Sequence, residues 1–507
     1  MESTLAGGGS SRVEDSPVDL LVIGGGINGV GIARDAAGRG LAVLLVERGD
    51  LAGATSSASS KLIHGGLRYL EQYEFRLVHE SLAEREVLLA AAPYIVRPLR
   101  FVLPVHAGLR PPWLLRLGLF LYDNIGGRKR LPPTRTVHRD RDSVFDGLAD
   151  SYQLGFEYSD CWTDDARLVV VNALDAQQRG ARIEPGWTVN SAHREGSLWK
   201  ATMTSQSGES RAVLARALVN ATGPWVEQTL RATGTHQHRA VRLVKGSHLV
   251  VRRLYDGAQA YTLQNADGRV VFAIPYEDDF TLIGTTDTPF SGDPGEVRAD
   301  SNEVEYLCGL ISGYLKTPVT PADVVWTYSG VRPLHDNGES SASTVTRDYA
   351  FDVDAPNEQA PLLSVFGGKL TTYRKLAEHA LSRLLPLMKV DAQPWTAGAT
   401  LPGGDIPNAD FEAFLAEELH QHAYAPAALV RRLCRAYGTR IEHILGNAKR
   451  TSDLGAEVAP QVYEAELDLM RREEWARTGD DALWRRSKLG LHLDAQARAA
   501  VKDWFGA

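Results

Sequence analysis

Residues 18–47 read VDLLVIGGGINGVGIARDAAGRGLAVLLVE. The apolar run Val18–Ile23 predicts a strand, the glycines a turn, the next dozen residues a helix, and Leu41–Glu47 a second strand ending on an acid. Gly24, Gly26 and Gly29 fill the G-x-G-x-x-G template. Gly24 permits the tight turn, Gly26 lets the backbone approach a pyrophosphate, and Gly29 lets the helix pack close to the sheet. The helix N-terminus offers N–H groups and partial positive charge to phosphate. Glu47 is spaced to accept hydrogen bonds from a ribose diol. A glycine turn alone would also fit an ordinary buried βαβ unit. The strand before it, the helix after it and the acid at its end favour a dinucleotide.

The 507-residue chain has room for two or three domains. Its net charge of −8 argues against a general nucleic-acid binder, whose surface is basic. Three distant cysteines, Cys161, Cys308 and Cys434, indicate neither a disulfide framework nor a zinc site. That usage fits a reducing, cytoplasmic setting. Residues 1–17 are polar and glycine-rich, so they read as a disordered tail rather than a signal peptide. No apolar run reaches the length of a spanning helix. Pro111–Arg130, PPWLLRLGLFLYDNIGGRKR, combines apolar bulk, a tryptophan and flanking basic residues. It fits a helix lying in a membrane interface as well as it fits a buried core helix.

Helical periodicity is expected over Phe75–Ala92, Leu168–Gly180 and Thr371–Leu385, and strands over Ala212–Asn220 and Ser364–Phe366. From Val241 to Pro289, β-branched and aromatic runs broken by turns predict a mixed or antiparallel sheet. After Leu401-Pro402-Gly403-Gly404 the composition turns helical, with helices expected at Phe411–His420, Ala427–Tyr437, Gln461–Arg471, Asp480–Lys488 and Ala495–Phe505. Asp160, Asp164, Asp165 and Asp175 match no metal-loop spacing and read as solvated or helix-capping, so no metal is expected.

Only one dinucleotide fingerprint is present. That leaves a nicotinamide dehydrogenase or a flavoprotein that meets substrate and acceptor directly. The N-terminal position of the unit and the glycine pair Gly367-Gly368 favour flavin. The N-terminus of the helix expected from about Thr371, following that pair, would face the electron-rich end of a reduced isoalloxazine.

Eight further segments sharpen the reading: ATSSASSKLIHGGLRYLEQYEFRLV (54–78), GFEYSDCWTDDARLV (155–169), NATGPWV (220–226), KGSHLVV (245–251), IGTTDT (283–288), WTYSGVRPL (326–334), TRDY (346–349) and SVFGGKLTTYRKLAEHAL (364–381). In order and spacing they resemble the FAD-dependent, aerobic respiratory glycerol-3-phosphate dehydrogenases, from about Val18 to Gly404. ALWRRSKLGLHL (482–493) resembles that family's C-terminal domain. The resemblance implies an α/β fold. A Rossmann-like, amino-acid-oxidase-like FAD-binding domain spans 18–404, interleaved with a β-sheet substrate domain (roughly 90–150 and 240–345). An all-helical C-terminal domain follows over 405–507.

By the same resemblance Gly24, Gly26, Gly29 and Glu47 hold the ADP half of FAD. Ser56, Ser57, Lys61, Leu62 and His64 line pyrophosphate, ribityl and ring. Ala221 and Gly223 pass near the cofactor, and Gly367, Gly368, Lys369 and Leu370 approach the flavin pyrimidine edge. The implied substrate, sn-glycerol 3-phosphate, is a small dianion, and phosphate calls for charge-assisted donors. Arg68, Arg332, Arg347 and Lys369 form such a set, with Tyr69 and Thr286 as hydroxyl donors. Oxidation at C2 needs an acceptor for the hydroxyl proton. His248 is the first candidate, with Arg332 and Lys369 completing the catalytic set; His64 is the second.

The family implies a membrane quinone as electron acceptor, hence peripheral attachment to the inner face of the cell membrane through 111–130. The alternatives are a glycerol-3-phosphate oxidase that reduces oxygen to peroxide, a flavin amine or hydroxy-acid oxidase, and a flavin-binding sensor without turnover. Four cations argue against the amine or hydroxy-acid oxidase. The oligomer stays open, a homodimer among the options.

Overall fold

The computed structural model describes residues 12–13, 16–71, 73–127, 130–235, 241–265, 268–335 and 348–506. Most of the expected N-terminal tail, together with Arg128, Lys129 and the candidate Arg347, lies outside them. Arg12–Val13 is not loose tail: it pairs in parallel with Arg211–Ala212.

Two large sheets organise the chain. In the first, Leu362–Phe366, Ser210–Asn220, Val18–Ile23, Val43–Glu47 and Arg182–Pro185 lie side by side and parallel, with Ala350–Asp354 antiparallel at the edge. Leu20, Leu21 and Val22 are fully buried. Covered on both faces, these strands read as continuous apolar runs rather than alternating ones. Helix Ile27–Gly38 packs against helices Asp165–Gln178 and Tyr373–Leu384. Gly31 makes this approach possible, because a side chain there would press on the Tyr373 ring.

The second sheet has ten strands, centred on Val241–Arg252, which pairs with both Phe280–Gly284 and Val324–His335. It continues through Val270–Tyr276, Ala260–Gln264, Val96–Pro104 and Leu154–Thr163 to the short strand Leu62–Ile63. The first sheet carries the glycine turn and the second faces it across a cleft.

The compositional shift at Leu401–Gly404 is no break in packing. One apolar core runs from Leu20 through Tyr373 to Leu433, Leu467 and Val501. Glu474, wholly buried, sits between Arg167 and Arg440, with Arg440 Nη1 donating at 2.9 Å. Asp50, just beyond the Val43–Glu47 strand, accepts from Arg485 and Arg486. The helix expected over Asp480–Lys488 is present from Gly479 to Arg486, as a short α-helical stretch, Gly479–Asp481, that widens into a π-helix at Ala482–Arg486.

The four aspartates are corrected in part. Asp164 caps its helix through the Arg167 amide. Asp160, Asp165 and Asp175 are buried, not solvated, and pair with Arg85, Lys61 and Arg34.

Candidate active site

A cleft of about 1280 Å³ opens between the two sheets. One end is the glycine turn. Gly24 has φ +116°, and a Cβ there would strike the Ala221 carbonyl. A Cβ on Gly29 would collide with the Gly24 carbonyl. Gly26, by contrast, borders the cleft itself, and a Cβ there would meet only Ser56 Oγ. Ser56 Oγ accepts from the Ile27 amide at 3.0 Å, tying the following loop to the helix start. Glu47 also borders the cleft. Its carboxylate accepts from the Gly25 and Gly49 amides, each at 2.8 Å. Burial raises its pKa, and the two amides oppose that shift.

The Gly367-Gly368 loop reaches the same end, for Asn28 Nδ2 donates to the Gly367 carbonyl at 3.1 Å. Both glycines have positive φ, +73° and +99°. The next helix begins only at Tyr373, so Gly367–Thr371 lines the cleft as loop. The helix expected over Thr371–Leu385 thus begins two residues later than expected. Asn28 Oδ1 is buried on this wall without a hydrogen-bond partner among the described residues.

The wall of the same cleft also carries Arg68, Tyr69, Arg332 and Lys369. Lys369 Nζ stands 3.9 Å over the Tyr69 ring. Arg332 pairs with Asp287 and donates to Thr285 Oγ1 at 3.1 Å. His64, Ser57, Leu62, Ala221, Gly223 and Leu370 also line the cleft.

Three candidates sit elsewhere. Lys61 is wholly buried behind the wall, its Nζ 2.7 Å from Asp165. Thr286 points away, donating to Glu303 at 2.7 Å and accepting from the Ser247 amide at 2.9 Å. Its neighbours Thr285 and Asp287 face the cleft instead, because successive side chains in extended chain alternate sides. His248 lies one layer behind the wall, stacked on Tyr328 with ring centroids 4.8 Å apart. Its Nε2 is 2.9 Å from Ser60 Oγ, and Ser60 borders the cleft. Its buried Nδ1 has no partner among the described residues. Burial, then Arg332 and Lys61, holds the imidazole pKa well below its ordinary value.

The sequence reading missed the contribution of the C-terminal region. Asp480, Trp484, Arg485 and Lys488 line the cleft, and Trp484 stacks on Trp326 with centroids 4.7 Å apart. The one available signal was the family-like segment 482–493, which carried no role.

Residues 19–374 match the family model of FAD dependent oxidoreductases, and residues 395–504 match that of the C-terminal domain of alpha-glycerophosphate oxidase. The chain is 50% identical over 490 residues to an aerobic glycerol-3-phosphate dehydrogenase of Escherichia coli (strain K12), covering 96% of this chain and 97% of that protein. This chain belongs to the FAD-dependent glycerol-3-phosphate dehydrogenase family. The enzyme is also 50% identical to a D-erythritol 1-phosphate dehydrogenase of Brucella abortus, over 97% of this chain and 98% of that protein. A solved glycerol-3-phosphate dehydrogenase from Bacillus halodurans, complexed with FAD, superposes with TM-score 0.77 at 28% identity. It covers 97% of this chain and 90% of its own.

The enzyme is therefore an FAD-dependent flavoprotein, and its cleft fits the cofactor. Gly26 leaves open the space that a side chain would fill, the Ile27 helix start faces it, and the orphaned Asn28 Oδ1 borders it. Glu47, at the end of the second strand, also borders this space. Among the described residues no helix is long and apolar enough to cross a membrane.

Proposed function

We infer that the enzyme oxidises sn-glycerol 3-phosphate to dihydroxyacetone phosphate and passes the electrons to a membrane quinone. The observation that carries this reading is that Arg68, Arg332 and Lys369 line the same cleft as the glycine turn. Three cations on one cleft suit a phosphate dianion better than a lone carboxylate. FAD, when bound, supplies a two-electron acceptor for the C2 hydrogen. The chain's own residues bind the phosphate, orient the alcohol and take its proton. Ser60 Oγ, on the wall, offers a one-step relay to His248 Nε2. A bound dianion counters the depression of the His248 pKa by Arg332 and Lys61, because opposite charge favours the imidazolium.

Anaerobic mixing with sn-glycerol 3-phosphate is expected to bleach the flavin, and D-erythritol 1-phosphate serves as the competing substrate. An unbleached flavin, or faster bleaching by the four-carbon ester, rejects the substrate assignment. Under air, quinone reduction is expected to exceed peroxide yield; the opposite ratio identifies an oxidase.

His248→Asn is expected to slow flavin reduction about 100-fold, the usual loss of a general base. In the parent, the depressed pKa keeps the imidazole deprotonated as pH falls through its ordinary value. The second-order rate of reduction at limiting substrate, which reports the free enzyme, is therefore expected to fall off only below that value. Near-normal reduction by the variant across the pH range would remove His248 from the proton path.

Attachment to lipid is read from helix Pro112–Ile125. Trp113, Leu117, Phe120 and Leu121 are exposed on it, the tryptophan by 69%. The helix packs against the Leu67–Leu70 turn and helix Phe75–Ala91, near exposed Tyr73 and Phe75. Such an exposed aromatic and aliphatic face, flanked by Arg110, Arg116 and Arg130, suits the interface of an anionic bilayer. Leu117→Asp with Phe120→Asp is expected to abolish sedimentation with anionic vesicles while leaving flavin reduction intact. Undiminished sedimentation would locate the contact elsewhere.

A further inference from the structure

The helical C-terminal region holds a cluster that the cleft does not use. Helix Phe411–Gln421 places Glu418 in its last turn, and His422 follows as its C-cap. Four residues apart, the two side chains share one face. Glu442, opening the turn Glu442–Leu445, faces them. His422 Nε2 lies 3.3 Å from Glu418 Oε2 and 3.9 Å from Glu442 Oε1. One ligand atom from each residue falls within 4.8 Å of the other two.

The satisfaction of these atoms is what singles the cluster out. His422 is 2% exposed and Glu418 7%. Yet His422 Nε2 and Glu418 Oε2 are both buried without a hydrogen-bond partner among the described residues, although they lie only 3.3 Å apart. Unsatisfied buried polar atoms are costly, and a shared cation would satisfy both.

We propose that Glu418, His422 and Glu442 bind a borderline divalent cation of the Zn²⁺ type at the edge of the helical domain. Imidazole with two carboxylates suits zinc better than Mg²⁺, which prefers oxygen and water. Ligands at 2.0–2.1 Å in a tetrahedron stand about 3.3 Å apart, the spacing His422 and Glu418 already have. Glu442 is exposed and held at its rim by Gln421 Nε2, 3.2 Å away, so a small rotation brings it in. Solvent on that side supplies the fourth position. None of the three borders the flavin cleft, so the site is structural rather than part of the redox chemistry.

The test is zinc titration of the metal-stripped, FAD-loaded enzyme by calorimetry. One Zn²⁺ per chain is expected to bind, with an accompanying rise in Tm, and Mg²⁺ is expected not to displace it. Glu418→Gln and His422→Gln are each expected to weaken binding about tenfold or more. Glu442→Gln, at the exposed rim, is expected to weaken binding without changing the fold, and it decides the matter if the buried variants do not fold. Flavin bleaching by sn-glycerol 3-phosphate is expected to be unchanged in all three. Absence of zinc binding in the parent, displacement by Mg²⁺, or parental affinity in Glu442→Gln and the other variants that fold would overturn the assignment. The pair Glu418–His422 would then be a carboxyl and imidazole sharing a proton.

Discussion

Arg332→Met is expected to lower kcat/KM for sn-glycerol 3-phosphate roughly 100- to 1000-fold, about 3–4 kcal/mol of transition-state binding. Arg332 is held in place by Asp287 and Thr285, so its planar fork is oriented before substrate arrives. If Arg332 binds the phosphate as proposed, loss of the fork removes directed donors to a dianion, and it leaves Asp287 without this partner on the cleft wall. Arg332→Lys keeps the charge but not the geometry, and about a tenfold loss is expected. Stopped-flow reduction kinetics check both variants, with the flavin spectrum as a control for cofactor content. If glycerol, which lacks the phosphate, lost as much rate as the ester, Arg332 would not be a phosphate ligand.

Glu474→Ala is expected to destabilise the enzyme by about 3–5 kcal/mol, because it leaves Arg167 buried without its carboxylate. Arg167 belongs to helix Asp165–Gln178 under the first sheet, and Arg440 to the C-terminal region. One side chain therefore joins the two regions. Burial raises the Glu474 pKa, but Arg167 and Arg440 outweigh it and hold it below the ordinary carboxylate value. The sign follows from linkage: a depressed carboxyl stabilises the fold above the unfolded pKa and loses that contribution as pH falls through the folded one. The stability gap between parent and variant is thus expected to be full near neutrality and to shrink in acid. Urea unfolding at several pH values measures it. A pH-independent gap would assign the loss to packing alone.

The nucleotide-binding half was legible because its signals are local. Strand, glycines, helix and acid all lie within 18–47, and Gly24 and Gly29 each have a steric reason visible in the backbone. The cationic wall was legible chiefly through resemblance, since Arg68, Arg332 and Lys369 come from separate loops and strands. Thr286 shows how parity misleads. Thr285 and Thr286 are chemically alike, and only the strand's facing decides which one meets the cleft. Lys61 shows a second failure: a lysine in a glycine- and serine-rich loop looks like a ligand for phosphate until Asp165, 104 residues away, claims it. Trp484, Arg485 and Lys488 were invisible for the same reason, because no local pattern marks a helix that will lean across another region.

That last contact has a consequence for biogenesis. The ribosome releases the glycine turn about 460 residues before the Trp484–Lys488 wall. At the usual 5–20 residues per second, roughly 20–90 s separate the two. Throughout that interval the nascent chain offers a cradle with one side missing, and Trp326 waits without its stacking partner. A chain truncated before residue 484 would therefore carry every fingerprint of a flavoprotein while lacking the cleft wall that Trp484, Arg485 and Lys488 supply.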